Sequence, residues 1–477
     1  MNKIRLILGL CVFALCFNSC SDFLEEQPVS EIPADKMWKT SRDAKAGVSE
    51  IYGLFRKTMR ANYFYWGEFR SDNVAQGAPA ANTQARVIDN LLTTDHACTE
   101  WTDLYRMINQ ANLAIKYIAN IDMPSVSERN DLLGQAYAMR ALGYFYAVRV
   151  WGDVPLFTEP NEMYSKDLYR SRTDKNEILN DVILADLKKA EELIDRTKNK
   201  ERKRISIYGV WAVMADVYMW LEDYNLADQT ISKMGNDPSF MAFEPEIETW
   251  RKMFVEELNG KSTDNTPEND EYTTKEFIFV IHFNMEEVGE YGYSYMYQWF
   301  TGGGNRAAVL SDKFVSLLEE DDLRKPYIMM DYQGGNELNK FIGGTISTTL
   351  NKTCQVAYPV YRYTDMLLLQ AEARARLGKW EEALQLVKQV RDRAGLNTPT
   401  AIDFFSEDDI IDYILTERQI ELVGEGRRWF DLVRTGKWKE VMEPINGMKD
   451  DGNELFPIHY SHIIQNPSIV QNPYYGN

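Results

Sequence analysis

The sequence predicts a mainly α-helical body that follows a secretion signal, and three observations carry that prediction. Apolar residues recur at three- and four-residue steps through most of the chain, strand-like runs are few and short, and one helix-turn-helix plan occurs twice. The chain has 477 residues, 44% of them hydrophobic and 26% charged, which suffices for one large core or two modest ones and excludes wholesale disorder. A formal charge of −19 argues against nucleic acid and against anionic headgroups as ligands, because binding polyphosphate needs a basic footprint. Aromatic content of 12% is high, and fits either stacking on a ligand or a core rich in Tyr and Phe.

At the N-terminus, Lys3 and Arg5 precede an apolar run over 6–17 that is too short to span a bilayer, so residues 1–19 read as a signal peptide. Of the three cysteines in or just after that run, Cys20 alone follows a small residue, Ser19, whereas Cys11 and Cys16 follow leucines. Signal peptidase has to fit the residue before the cut, so Cys20 is the expected lipidated N-terminus, although Phe17 and Asn18 make a loose cleavage motif. Cleavage there removes Lys3 and Arg5 and takes the charge from −19 to −21. Residues 20–35, acidic and punctuated by Pro28 and Pro33, read as a tether, and 36–477 as the body. No later apolar stretch is long enough to cross a membrane, so lipid is the expected anchor. Beyond Cys20 only Cys98 and Cys354 remain, allowing at most one disulfide and no cysteine zinc site.

Helical periodicity predicts helices over 101–121, 129–150, 174–195, 205–234, 361–377, 380–394 and 408–422, with 174–195 and 205–234 forming one pair and 361–377 and 380–394 another. The helix over 129–150 is expected to be amphipathic, with Ala136, Arg140, Tyr144 and Val148 on one stripe and Gly152 and Pro155 ending it. The run Trp220-Leu221-Glu222-Asp223-Tyr224-Asn225-Leu226-Ala227 aligns without gaps on Arg376-Leu377-Gly378-Lys379-Trp380-Glu381-Glu382-Ala383. Ala215 and Ala371 each stand twelve residues before the last alanine of their copy. Small residues at that spacing let two helices of a hairpin approach closely, as in tetratricopeptide repeats. Residues 277–283 (FIFVIHF) form a strand candidate, 256–275 and 334–352 read as loops, and the aperiodic chain end is expected to wrap over the body.

In order, the acidic leader after Cys20, WGDVPL at 151–156, LGKWEEAL at 377–384, TERQIELVGEGRRWFDLVRTG at 416–436 and the terminal LFPIHYSHIIQNPSIVQNPYY together resemble the SusD/RagB family of Bacteroidetes. The resemblance runs over nearly the whole mature chain. It implies tetratricopeptide-like helical hairpins packed against an irregular, loop-rich, ligand-facing half with a few short strands. An N-terminal part over about 36–240 and a C-terminal part over about 270–477 follow from it. Family members sit as lids on a SusC-like, TonB-dependent outer-membrane transporter and bind glycans or other nutrients without cleaving them. The resemblance therefore implies a surface-exposed, lipid-anchored, non-catalytic protein without a cofactor. The family's ligand contacts are not a fixed motif, so none transfers residue by residue.

Two aromatic clusters are the candidate ligand contacts. Tyr291, Tyr293, Tyr295, Tyr297 and Trp299 stand at two-residue spacing, which in an extended strand points all five rings to one face, the flat platform that a sugar's C–H face prefers. The alternative is that this stripe covers the core. Tyr63, Tyr65 and Trp66, followed by Arg70, Asp72 and Asn73, form the second cluster, with polar groups suited to hydroxyls. The charged block at 416–436 reads as helix packing through i,i+3 and i,i+4 pairs, with Trp429 and Phe430 in the core, rather than as catalytic carboxylates. His459 and His462 have a metal-compatible spacing but sit in an aperiodic tail, and four histidines in all leave little for a Ser-His-acid set. A glycoside hydrolase, which needs two carboxylates facing across a cleft, and a purely structural tetratricopeptide adaptor remain the alternatives to nutrient capture.

Overall fold

A Thr40–Asp43 capping box starts the first long helix: the Asp43 N–H donates to the Thr40 hydroxyl (3.3 Å) and the Thr40 N–H to the Asp43 carboxylate (2.8 Å). Periodicity reading passes over this helix, α1 (Ser41–Gly67), although the capping box is legible in the sequence. The computed structural model describes residues 37–77, 83–163, 168–197, 202–236, 242–255, 274–283, 295, 299–300, 306–332, 334–341 and 357–476. Cys20, the tether and Cys354 lie outside the described residues. Val48, Ile51, Phe55 and Met59 form the buried face of α1, which packs on α2 (Thr102–Ile118), and α2 on α3 (Val126–Trp151).

Helix α3 corrects the amphipathic expectation. Every residue from Ala138 to Trp151 is buried, so α3 is the central helix of the N-terminal part. Its polar residues survive burial because they are paired: Arg140 donates from Nε and Nη2 to both oxygens of Asp186 at 2.7 Å. The helix expected over 174–195 is a turn at Lys175–Glu177, a π-type segment at Ile178–Ile183 and α4 (Leu184–Leu193).

The repeated plan is real at the level of backbone. Helices α5 (Ile207–Trp220) and α6 (Tyr224–Ser232) form one hairpin, and α7 (Tyr363–Arg376) and α8 (Trp380–Arg393) the other. The aligned turn residues Glu222 and Gly378 both adopt positive φ, 59° and 73°. Ala215, Ala227, Ala371 and Ala383 are all fully buried, as close helix approach requires. The hairpins also pack on each other: Gln370 Nε2 (2.7 Å) and Arg374 Nε (2.9 Å) donate to Asp228 on α6. A second, smaller hydrophobic cluster fills the space between α7, α8 and α9 (Glu407–Glu421).

The block at 416–436 is not one helix. α9 ends at Glu421, Gly424 and Gly426 turn the chain at φ 78° and 65°, and α10 (Arg428–Arg434) begins anew. The turn comes so close to the end of α1 that a Cβ on Gly67 would lie 1.9 Å from the Gly426 carbonyl oxygen. Asp431 and Arg434 make a local i,i+3 pair (2.7 Å), but the other charges reach across the fold, which corrects the expectation of local pairing. Trp429 and Phe430 are buried, as expected.

Strands among the described residues make four two-stranded antiparallel sheets, including Phe277–His282 against Ala357–Arg362, where the sequence predicts a strand at 277–283. The chain end does wrap the body: the Phe456 N–H donates to the Val150 carbonyl (2.8 Å), and Asn472 Nδ2 to the carbonyls of Trp151 and Phe456. It also contains a short helix, α11 (Tyr460–Gln465), that its aperiodic sequence conceals. No described helix is long and apolar enough to cross a membrane.

Candidate functional site

The last turn of α1 delivers Trp66, and the chain after it delivers Arg70, Asp72 and Asn73, all into the interior at 2% exposure or less. Trp66 Nε1 donates to the Cys98 carbonyl (2.8 Å), and its ring meets Trp151 edge-on at 5.3 Å. The Arg70 guanidinium lies 4.3 Å from the Trp429 ring and 4.8 Å from Phe456 while donating to Asn90 Oδ1 and to the carbonyls of Asn453 and Glu454. Burial lowers its pKa to about 10. Asp72 binds Arg428 through both oxygens (2.8 and 3.2 Å), and this pairing overcomes the upward push of burial to hold its carboxyl below the usual range. Asn73 donates to Glu68 (2.7 Å) and accepts from Gln419 (2.9 Å). Burial pushes the Glu68 carboxyl up to about 7, against hydrogen bonds from Asn73 and from the Gly424 and Gly426 amides. These residues tie the end of α1 to the α9–α10 turn, and their hydrogen-bonding capacity is directed inward.

Tyr295 and Trp299 correct the extended-strand geometry. The Trp299 N–H donates to the Tyr295 carbonyl (3.0 Å), a helical turn, and the rings stack at 4.6 Å with 6° between planes because they lie one turn apart. Trp299 is 4% exposed and packs on Phe64, Tyr65 and Phe69, so its position is that of the core alternative. The Arg60 guanidinium sits 4.6 Å over the Tyr295 ring, and Arg60 Nη2 lies 3.1 Å from its hydroxyl. Trp299 therefore covers one face of the Tyr295 ring and Arg60 lies against the ring and its hydroxyl, which leaves Tyr295 half-buried. Tyr291, Tyr293 and Tyr297 lie outside the described residues.

Two adjoining recesses open along α2. The smaller, of about 490 Å³, is bordered by Lys57, Arg60, Glu100, Asp103, Arg106 and Tyr295. The larger, of about 900 Å³, lies between the N-terminal half of α2, residues 155–161, Leu168 and Tyr169, and the chain end around α11. Thr102 and Arg106 border both, so the two recesses meet at the start of α2. In the larger one, the Trp101 ring stacks on the His462 imidazole (4.7 Å, 17°), and Tyr105 meets Phe157 edge to face (6.2 Å, 87°). Sequence reasoning misses this cleft because its walls come from segments more than 350 residues apart, such as Trp101 and His462, whose contact spans 361 positions. The one local signal is Trp101 and Tyr105, one helical turn apart and followed by Arg106, Asn109 and Gln110.

His462 is a structural residue, since its Nε2 accepts from the Trp101 N–H (3.2 Å) and burial lowers its pKa to about 4. Among the described residues no three His, Cys, Asp or Glu side chains are grouped to hold a metal ion. Among the described residues Glu50 is the single carboxylate bordering the larger cleft, so no described acid pair faces across it. In the smaller recess Asp103 is held in ion pairs by Lys57 (3.0 Å) and Arg106 (3.1 Å).

Comparison with known proteins places these features in a lineage. Residues 329–475 match the family model described as SusD family, and residues 22–219 match one described as starch-binding associating with outer membrane. The chain is 34% identical to SusD-like protein P38 of Formosa agariphila, over 96% of each chain. Its fold is similar to that of B. fragilis NanU (TM-score 0.76, 22% identity, 94% of this chain and 100% of the other). It is similar also to a laminarin binding SusD-like protein (TM-score 0.73, 22% identity, 92% and 100%).

Proposed function

Because the chain belongs to the SusD family of glycan-binding, outer-membrane-associated proteins, we propose that it captures oligosaccharides at the cell surface and passes them to a SusC-like, TonB-dependent transporter without cleaving them. The observation that carries this reading is the 34% identity sustained over 96% of both chains, since a match of that extent includes the ligand-facing half as well as the helical scaffold. The laminarin-binding neighbour supports a carbohydrate ligand. Cys20, acylated after removal of residues 1–19, anchors the protein in the outer membrane, and the tether sets the body off the lipid. In this reading the groove along α2 is the contact surface, where Tyr295 and Arg60 meet sugar hydroxyls. Trp66, Arg70, Asp72, Asn73 and Trp299 form the frame behind it, and Tyr291, Tyr293 and Tyr297 are candidates for further stacking. That Glu50 is the one carboxylate among the described residues of the larger cleft favours capture over hydrolysis.

Electrophoresis of the purified protein through gels containing single polysaccharides tests the reading, with the unbound glycan sized afterwards. One polysaccharide should retard migration and emerge at its original length. Shortened products, or no retardation by any glycan, contradict it. Affinity purification of the lipoprotein from detergent-solubilised membranes should recover a β-barrel partner, and Cys20→Ala should abolish incorporation of labelled palmitate.

A further inference from the structure

The larger cleft beside α2 is more than a gap left by packing. Its rings are fixed from behind: Tyr105 donates its hydroxyl to the Pro155 carbonyl (2.6 Å), and Arg170 stands 4.8 Å over the Phe157 ring. Phe157 is further held by Tyr144, whose hydroxyl accepts from the Phe157 N–H (2.7 Å) and donates to its carbonyl (2.9 Å). The Trp101–His462 stack closes the inner end, and Asn109 and Asn161 brace the rim by a reciprocal pair of hydrogen bonds. A wall held this firmly does not collapse to fill the space, so an aromatic-lined volume of about 900 Å³ stays open, with Tyr169 38% exposed at its mouth. Pockets of this size and lining hold small organic ligands.

We propose that this cleft is a second sugar subsite, separate from the Tyr295 rim, which takes an uncharged stretch of the oligosaccharide against the Tyr169 ring. The inference rests on the glycan-capture reading and adds the place and the chemical class of the ligand. The class follows from the lining. Among the described residues the two formal charges at its border, Glu50 and Arg106, are of opposite sign, whereas the rest is aromatic, aliphatic, amide or hydroxyl. Its one cation, Arg106, is already paired with Asp103 (3.1 Å) and is opposed by Glu50, so the wall carries no net charge to hold a carboxylate or sulfate and suits the alternating C–H and hydroxyl faces of a neutral pyranose. Thr102 and Arg106 lead directly into the smaller recess, so one chain can occupy both and gain affinity with length.

The test is calorimetry of the mature protein with neutral gluco-, manno-, galacto- and xylo-oligosaccharides of two to six units. Affinity should rise with length for one series, and Tyr169→Ala should lose about tenfold on the longest member, the scale of losing a stacked ring. Tyr169→Phe, which keeps the ring, should bind like the wild type. Circular dichroism should be unchanged in both, since Tyr169 lies at the cleft mouth. Wild-type affinity in Tyr169→Ala across a series that the wild type binds overturns the subsite and leaves glycan capture standing. Failure of the wild type to bind any series overturns the capture reading and this inference with it.

Discussion

The α9–α10 turn and the cleft along α2 are built from the same kinds of residue, aromatic rings among charges and amides, yet they direct them oppositely. At the turn, Glu421 receives hydrogen bonds from Arg393 (2.6 Å), Arg324 (3.0 Å) and Trp250 Nε1 (2.8 Å), and Arg362 completes the cage at 2.9 Å. Burial works to raise the Glu421 pKa, but the surrounding guanidinium groups outweigh it and hold the carboxyl far below its usual range. Arg362 also engages Glu425 through Nε and Nη2 (both 2.8 Å), and Lys340 pairs with the same carboxylate. Along α2, by contrast, Trp101, Phe157 and His462 are held in place at the wall of an open cleft, with Tyr105 half-buried and Tyr169 exposed at its mouth. Polarity that is paired within the fold marks scaffold, and aromatic side chains held rigid around an open cleft mark a binding face.

Breaking the scaffold side should produce the largest effects. Glu421→Ala leaves three buried arginines without their shared partner and should cost about 5 kcal/mol in denaturant unfolding, the upper range for a broken buried pair. Asp72→Ala strands Arg428 in the same way and should cost about 3 kcal/mol. Its sugar affinity per folded molecule should stay at the wild-type value, and a loss of affinity at unchanged stability would move Asp72 to the binding side of the comparison.

The cleft contributes a pH signature. His462 has a folded-state pKa of about 4, below its ordinary 6.5, because burial disfavours the cation and its Nε2 accepts from the Trp101 amide. The neutral imidazole therefore supports the fold fully above pH 6.5, and that contribution is lost as the pH falls toward 4. Between those values the wild type should lose about 1–2 kcal/mol that His462→Gln does not lose, measured by urea unfolding at a series of pH values. Parallel acid slopes for the two proteins would remove His462 from the account.

The smallest effect compares the two helical hairpins. Gly378 adopts φ 73° at no steric cost, so Gly378→Ala should destabilise by about 1 kcal/mol, whereas Glu222→Gly at the matching turn should stabilise by a similar or smaller amount. Equal, small effects of either sign at both turns would mean that the turn residue does not carry the shared geometry.

Much of the scaffold is legible in the sequence because it is local. The hairpins, the 277–283 strand and the burial of Trp429 and Phe430 follow from spacing or composition over short stretches of chain. The sequence hides what depends on distant partners. Arg428 seeks Asp72, 356 positions away, so the block at 416–436 looks locally paired when it is not. Arg70 and Asn73 look like ligand contacts because nothing nearby in the chain announces Asn453, Glu454 or Gln419. The spacing of Tyr295 and Trp299 is equally compatible with one helical turn, and the helical hydrogen bond decides it. The larger cleft is invisible for the same reason, since its walls meet only in the fold.

Hydrogen exchange of the intact protein, with and without a saturating bound oligosaccharide, separates binding face from scaffold in one experiment. Added protection should concentrate at 101–110, 155–161 and 168–169, with 66–73 and 421–428 already protected in the free protein and unchanged by the sugar. Protection gained at 66–73 and 421–428, with the α2 face unaffected, would contradict that separation.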